Sequence, residues 1–169
     1  NNIEQANRNK LLWQDESVDG VKTGHTSSAG YCLAASAQRQ NMRLISVVLG
    51  AANEKNRFNA SQELLDYGFR YYQTHKLYDA GHALTEVQVW KGETEQLPLG
   101  FVNDVYVTIP RDRYKDMQAS LRVNNAIEAP VKQGQQLGSV LIQLDNKNIA
   151  EVPLVALGSI AEPGFVGRM

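Results

Sequence analysis

One stretch of this 169-residue chain, Glu54 to Tyr72, repeats its apolar side chains at a helical spacing, and the runs on either side of it are short and extended. Phe58, Ser61, Leu65, Phe69 and Tyr72 form the repeat, Leu64 lies beside it, and Asn53 is a suitable helix cap. An amphipathic helix with a core-facing aromatic stripe is expected there. Ahead of it come three strand-like runs: Val21 to Thr26, Tyr31 to Gln38, and Arg43 to Leu49. The last is nearly continuous and β-branched, the pattern of a strand buried on both faces. Ser27-Ser28-Ala29-Gly30 and Arg39-Gln40-Asn41 are short polar connections between them. Together these runs predict an antiparallel meander, its first strand at the sheet edge, with the helix laid across it.

After about residue 75 the pattern changes. All five prolines lie in this half, and the helical period disappears. Runs of partial alternation recur at fairly even spacing: Leu84 to Trp90, Val105 to Ile109, Ala119 to Val123, Leu137 to Leu144, and Ile149 to Leu157. Turn signals such as Lys91-Gly92 and Asp145-Asn146-Lys147-Asn148 separate them, which reads as a small all-β sandwich or barrel. The class is therefore α+β, with residues 1–75 as a mixed domain, 76–163 as a β-rich domain, and 164–169 as an exit from the fold. No paired carboxylates and no nucleophile–base spacing occur in the second half.

A formal charge of -1 with interspersed signs leaves no electrostatic footprint for nucleic acid. No apolar run approaches the length of a membrane span. The lone Cys32 sits in the apolar run Tyr31-Cys32-Leu33-Ala34-Ala35 and reads as a buried small hydrophobe rather than a nucleophile. His25, His75 and His82 have no ligand-type spacing, and Gly24 and Gly30 lack the pattern of a phosphate loop. Neither a metal nor a cofactor is expected.

Chemistry concentrates in Val18-Asp19-Gly20-Val21-Lys22-Thr23-Gly24-His25-Thr26. Asp19-Gly20 signals a turn, and Gly24 interrupts the extended run, which marks a bulge or a close approach to the backbone. Lys22 can hold an anion or lower a neighbouring hydroxyl's pKa, Thr23 offers a donor, and the amide after Gly24 is left free to face a ligand. That describes one wall of a cleft that grips an oxyanion or carboxylate. Lys-Thr-Gly alone is three common residues, more often a solvated strand end than a site. Arg57, near the helix start, opposes the helix dipole and is either an ordinary solvated arginine or one that serves something outside the helix.

Over its whole length the sequence resembles the C-terminal portion of a low-molecular-mass penicillin-binding protein of the D-alanyl-D-alanine carboxypeptidase kind. The residues that carry the resemblance are Asn7-Arg8-Asn9-Lys10-Leu11-Leu12-Trp13, Val18 to Thr26, Leu64-Leu65-Asp66-Tyr67-Gly68-Phe69-Arg70, and Asp104 to Arg111. Lys-Thr-Gly is a signature of serine β-lactamases and penicillin-binding proteins. The His25-Thr26 that follows it and the appended β-rich domain set this chain apart from ordinary β-lactamases. The resemblance implies the C-terminal part of a β-lactamase/transpeptidase-like domain, then a β-sandwich that stands it off the membrane, then an amphipathic anchoring helix. Lys22 then belongs to the cluster that manages protons and the substrate carboxylate, and Thr23 hydrogen-bonds that carboxylate or a β-lactam's. Gly24 lets the acyl group lie against the strand, and the His25 backbone amide is an oxyanion donor. Arg8, Thr26 and Arg57 fall to substrate binding, a guanidinium being well suited to a carboxylate.

The implied reaction removes the terminal D-alanine of peptidoglycan pentapeptides through an acyl-serine that β-lactams trap. The implied location is the periplasm, at the inner membrane. No serine here is followed three positions later by lysine, however, and no Ser-x-Asn triplet occurs. The nucleophile is therefore expected from an upstream segment, an N-terminal half present as a separate chain. The alternatives are a non-catalytic binding or scaffold module, or an inactive truncated fragment.

Overall fold

Two polar turns fold the first three strands back on one another, and the backbone freedom these turns need is visible in the chain. Gly30 and Gln40 take positive φ values of 65° and 53° at the two reversals. The computed structural model describes residues 4–163, so the expected exit at 164–169 lies outside the described residues. A single helical turn, α1 (Leu11–Gln14), precedes β1 (Val18–Thr26), β2 (Gly30–Arg39) and β3 (Met42–Ala51), which pair antiparallel in the order β1-β2-β3. The Lys-Thr-Gly strand is thus at an edge of this sheet, as its place in the sequence led one to expect.

Helix α2 (Glu54–Tyr71) lies against β2 and β3. Asn53 caps it, its side-chain oxygen accepting from the Asn56 amide at 2.8 Å. Phe58, Leu65 and Phe69 are buried with Leu11, Val18, Leu33, Ala35, Ala37 and Met42, and the buried Ser61 shares a hydrogen bond with the Ser46 hydroxyl. Leu64 is exposed, because one residue from Leu65 is about 100° around the helix from the buried line. Tyr72 is also outside that core, since the chain turns extended there.

The expectation that the third strand is buried on both faces is incorrect. Ile45, Val47 and Leu49 are 68%, 58% and 74% exposed. Leu44 and Ser46 pair with Ala37 and Ala35 and share the helix-covered side, so the alternate residues take the other side, which no described element covers. Cys32 is likewise half-buried rather than buried. Its cross-strand neighbour is Gly24, which has no side chain to cover it.

The remaining strands are β4 (Tyr72–Tyr78), β5 (Ala83–Trp90), β6 (Gln96–Gly100), β7 (Val105–Pro110), β8 (Met117–Val123), β9 (Ile127–Glu128), β10 (Gln136–Leu144) and β11 (Lys147–Ala156). Six of them form one sheet in the order β8-β10-β11-β6-β5-β9, and β4 pairs with β7. Val89, Leu97, Leu99, Val140, Ile142 and Leu154 are among the deeply buried side chains of that sheet. Backbones approach closely at Gly138, where a Cβ would lie 2.3 Å from the Arg122 carbonyl oxygen.

The chain divides into two compact units, residues 1–74 with Thr108–Arg111, and residues 75–107 with 112–169. Thr108 to Arg111 rejoin the first unit through specific bonds. The Thr74 and Thr108 hydroxyls are 2.8 Å apart, the Arg111 amide donates to the Tyr71 carbonyl, and its guanidinium donates to the Phe69 carbonyl, both at 2.9 Å. The first unit is α+β and the second all-β. Among the described residues no helix is long and apolar enough to cross a membrane.

Candidate functional site

An edge strand keeps one row of backbone groups free of sheet pairing, and β1 presents that edge beside the loop before α1. Asn9 holds the loop in place. It is buried, its side-chain amide donates to the Gly20 carbonyl at 3.1 Å, and its side-chain oxygen accepts from the Leu11 amide at 3.3 Å. The Asn9 amide in turn donates to the Asn7 side chain at 2.9 Å. A cavity of about 950 Å³ results, lined by residues 5–8, residues 21–25, Tyr31, Glu54 and Arg57.

Arg8, Lys22, Thr23, Gly24, His25 and Arg57 are therefore brought together. Thr26 is not among the lining residues. Its hydroxyl accepts from the Ala29 amide at 2.9 Å, within the β1–β2 turn. Lys22 is exposed, and its ammonium donates to the Thr23 carbonyl at 2.6 Å. The His25 ring packs on Tyr31, its cross-strand partner, with centroids 4.1 Å apart.

Arg57 is 3% exposed, so it is not the solvated arginine that its position allowed. One terminal nitrogen donates to the carbonyls of Gly24 and Cys32 at 3.2 and 3.4 Å, and the other donates to Glu54 at 3.1 Å. Its guanidinium also lies over the Phe58 and Tyr31 rings, 4.9 and 5.5 Å from their centroids. A cation in the first turn of a helix, unfavourable by itself, here ties that helix to the strand that forms the cavity wall. Its Nε is buried with no partner among the described residues.

Sequence reasoning missed Glu54, Tyr31 and Asn9. Glu54 carried a signal, since it precedes Arg57 by three residues on one helix face. Tyr31 follows from the hairpin register once the turn is counted. Asn9 lay within a run that carries the resemblance, but its burial did not show, because an asparagine in a polar loop looks the same whether buried or solvated. Glu54 also accepts from Lys10 at 3.1 Å, and this hydrogen bond, with the charge of Arg57, holds its carboxyl below the usual carboxylate range.

Among the described residues the cavity is lined by Arg8, Lys22, His25 and Arg57 against the single carboxylate of Glu54, a donor-rich lining that suits an anion. The strand edge beside it can take an extended chain. No serine or cysteine among the described residues lines the cavity.

Fold and site together define a two-unit chain, α+β then all-β, with a cationic cavity along an edge strand. The chain belongs to the family of the penicillin-binding protein 5 C-terminal domain, which matches residues 72–162, more than half its length. Residues 1–53 match the family described as D-alanyl-D-alanine carboxypeptidase. The D-alanyl-D-alanine carboxypeptidases DacA and DacC of Escherichia coli K12 are 44% and 43% identical over 171 residues. Both alignments cover all of this chain, which spans 42% and 43% of those proteins. The crystal structure of penicillin-binding protein 5 from Haemophilus influenzae is similar with a TM-score of 0.86 and 41% identity. That match covers 95% of this chain and 47% of the other.

Proposed function

We propose that this chain forms the carboxylate-holding wall and the β-rich domain of a serine D-alanyl-D-alanine carboxypeptidase acting on peptidoglycan pentapeptides. The observation that carries the reading is the single cavity shared by Arg8, Lys22, Thr23, Gly24, His25 and Arg57, on an edge strand. The match of residues 1–53, which include that strand, to the D-alanyl-D-alanine carboxypeptidase family supports it, as do the carboxypeptidases that resemble the whole chain.

In this reading the substrate lies extended along β1 with its terminal carboxylate toward Thr23, Arg8 and Arg57. A serine from outside these 169 residues attacks the penultimate D-alanine carbonyl. The His25 amide stabilises the oxyanion, an interaction of the kind that contributes about 3–4 kcal/mol of barrier. Lys22 serves the proton-handling cluster around the serine, free D-alanine leaves, and water hydrolyses the acyl-serine. A β-lactam enters the same way, its carboxylate in the same cavity, and its opened ring remains attached to the serine. The exposed apolar side chains Ile45, Val47 and Leu49 support a further segment of the same protein packing on this sheet. The setting is the periplasmic side of the inner membrane, with attachment through an amphipathic helix outside the described residues.

Intact-mass spectrometry after incubation with a penicillin tests this reading. It requires a protein that carries this sequence together with the portion of its relatives that this chain does not span. One drug mass on a serine outside these 169 residues is expected, with acylation at least tenfold slower in Lys22→Ala. No adduct, or unchanged acylation in the variant, would reject it.

A further inference from the structure

Among the described residues, Glu54 is the one carboxylate in a cavity that otherwise presents Arg8, Lys22, His25 and Arg57. Both of its oxygens are taken. Lys10 donates to one and Arg57 to the other, each at 3.1 Å. As the first residue of α2, immediately after the Asn53 cap, Glu54 sits where the helix dipole favours a negative charge. Its two partners differ in freedom. Arg57 is buried and fastened by its other terminal nitrogen to the backbone of β1 and β2. The Lys10 side chain is 57% exposed and held by no other described bond. Glu54 is thus shared between a guanidinium that cannot follow it and an ammonium that can.

We propose that Glu54 is a resident competitor for carboxylate ligands, with Lys10 as the lever that sets its strength. Before a ligand enters, Glu54 occupies one donor edge of Arg57. An entering carboxylate takes that edge, and Glu54 shifts onto Lys10, which draws it toward the rim. Glu54 then selects against weakly held anions and admits carboxylates that gain further contacts along β1. The inference rests on the carboxylate-binding part of the function proposed above and not on its hydrolytic step. A role for Glu54 as a mere counter-ion of Arg57 makes the opposite forecast, because removing its charge would then disorganise the cavity and weaken binding.

The test is an NMR titration of the Gly24 and His25 amides at constant, low ionic strength, in the wild type and in Glu54→Gln, Lys10→Met and the double variant. Glutamine retains an acceptor for Arg57, so the fold is kept. Acetate and N-acetyl-D-alanyl-D-alanine are the two probes. For acetate, Glu54→Gln is expected to tighten binding about threefold and Lys10→Met to loosen it by a similar factor, the range of one partly screened charge interaction. The double variant should behave like Glu54→Gln, because Lys10 acts through Glu54. Weakened or unchanged acetate binding in Glu54→Gln overturns the proposal, as do a Lys10→Met loss of equal size in both backgrounds and no acetate response in any protein. Should acetate follow the expected order while the dipeptide gives no response, the substrate reading fails and the role of Glu54 stands.

Discussion

Gly24 is a residue whose identity the described fold does not demand. Its backbone is outside the left-handed region, and a Cβ there would meet only the Cys32 Cβ, at an ordinary 3.8 Å. Alanine fits, and by restricting the unfolded chain it should leave stability equal or raise it by up to about 1 kcal/mol. If the acyl group of a ligand lies against this strand, the added methyl obstructs it. Gly24→Ala in the serine-bearing protein should therefore melt no lower than wild type yet be acylated by penicillin at least tenfold more slowly, about 1.4 kcal/mol of barrier. A variant acylated at the normal rate would show that the glycine does not serve the ligand. Asp15 presents the converse case, a residue that serves only the fold. Burial alone would raise its carboxyl, but bonds from Ser17, Gln62 and Arg39 outweigh that and hold it well below the usual range. A folded value below the unfolded value of about 3.9 means that the stabilisation is complete above that pH and lost as pH falls toward the folded value. Asp15→Asn should cost about 1–2 kcal/mol at pH 7. Urea unfolding at pH 7 and at pH 3 should show that difference shrinking in acid, and a constant difference would exclude the charge as its origin.

At the scale of elements, the helix and the meander were legible because each obeys a simple period and each turn carries its own chemistry. Asn53, Ser27 to Gly30, and Arg39 to Asn41 mark boundaries that the structure keeps to within a residue or two. β4, β6 and β9 were not legible, for three separate reasons. β4 follows α2 without an intervening turn, so the helical stripe runs into it at Tyr72. β6 contains Pro98, which argues against an inner strand, yet it pairs with both β5 and β11. β9 is two residues long, below any period. In the site, Arg8, Lys22, Thr23, Gly24, His25 and Arg57 line one cavity while Thr26 bonds within the turn, and Glu54 was passed over, because a motif specifies positions and not which side chains share a cavity. The β-branched run of β3 suggested cover on both faces, while helix α2 covers only one. If another segment of the same protein supplies the second cover, Val47→Lys should cost about 2 kcal/mol in that longer protein. The same substitution should leave the melting temperature of the 169-residue chain unchanged. Equal effects in the two proteins would mean that nothing packs on this face.

For the molecule as a whole, the two units have separate cores, and the residues that line the β1 cavity all come from one of them. Those residues belong to the first unit, whereas Leu97, Leu99, Ile142 and Leu154 are buried within the second. The Arg57 clamp, the Asn9 loop anchor and the edge of the strand, on which the proposed anion binding would draw, all lie outside the β-rich unit. Stability of that unit and affinity at the cavity should therefore be separable quantities. Ile142 tests this, since it is fully buried in β10, flanked by β8 and β11, and alanine there removes three carbons from a closed core. Ile142→Ala should cost about 2–5 kcal/mol, the range for opening a cavity in a packed interior. Acetate affinity read at the Gly24 and His25 amides should remain within a factor of two at a temperature where both units are folded. A parallel fall in affinity would mean that the β-rich unit helps to shape the cavity.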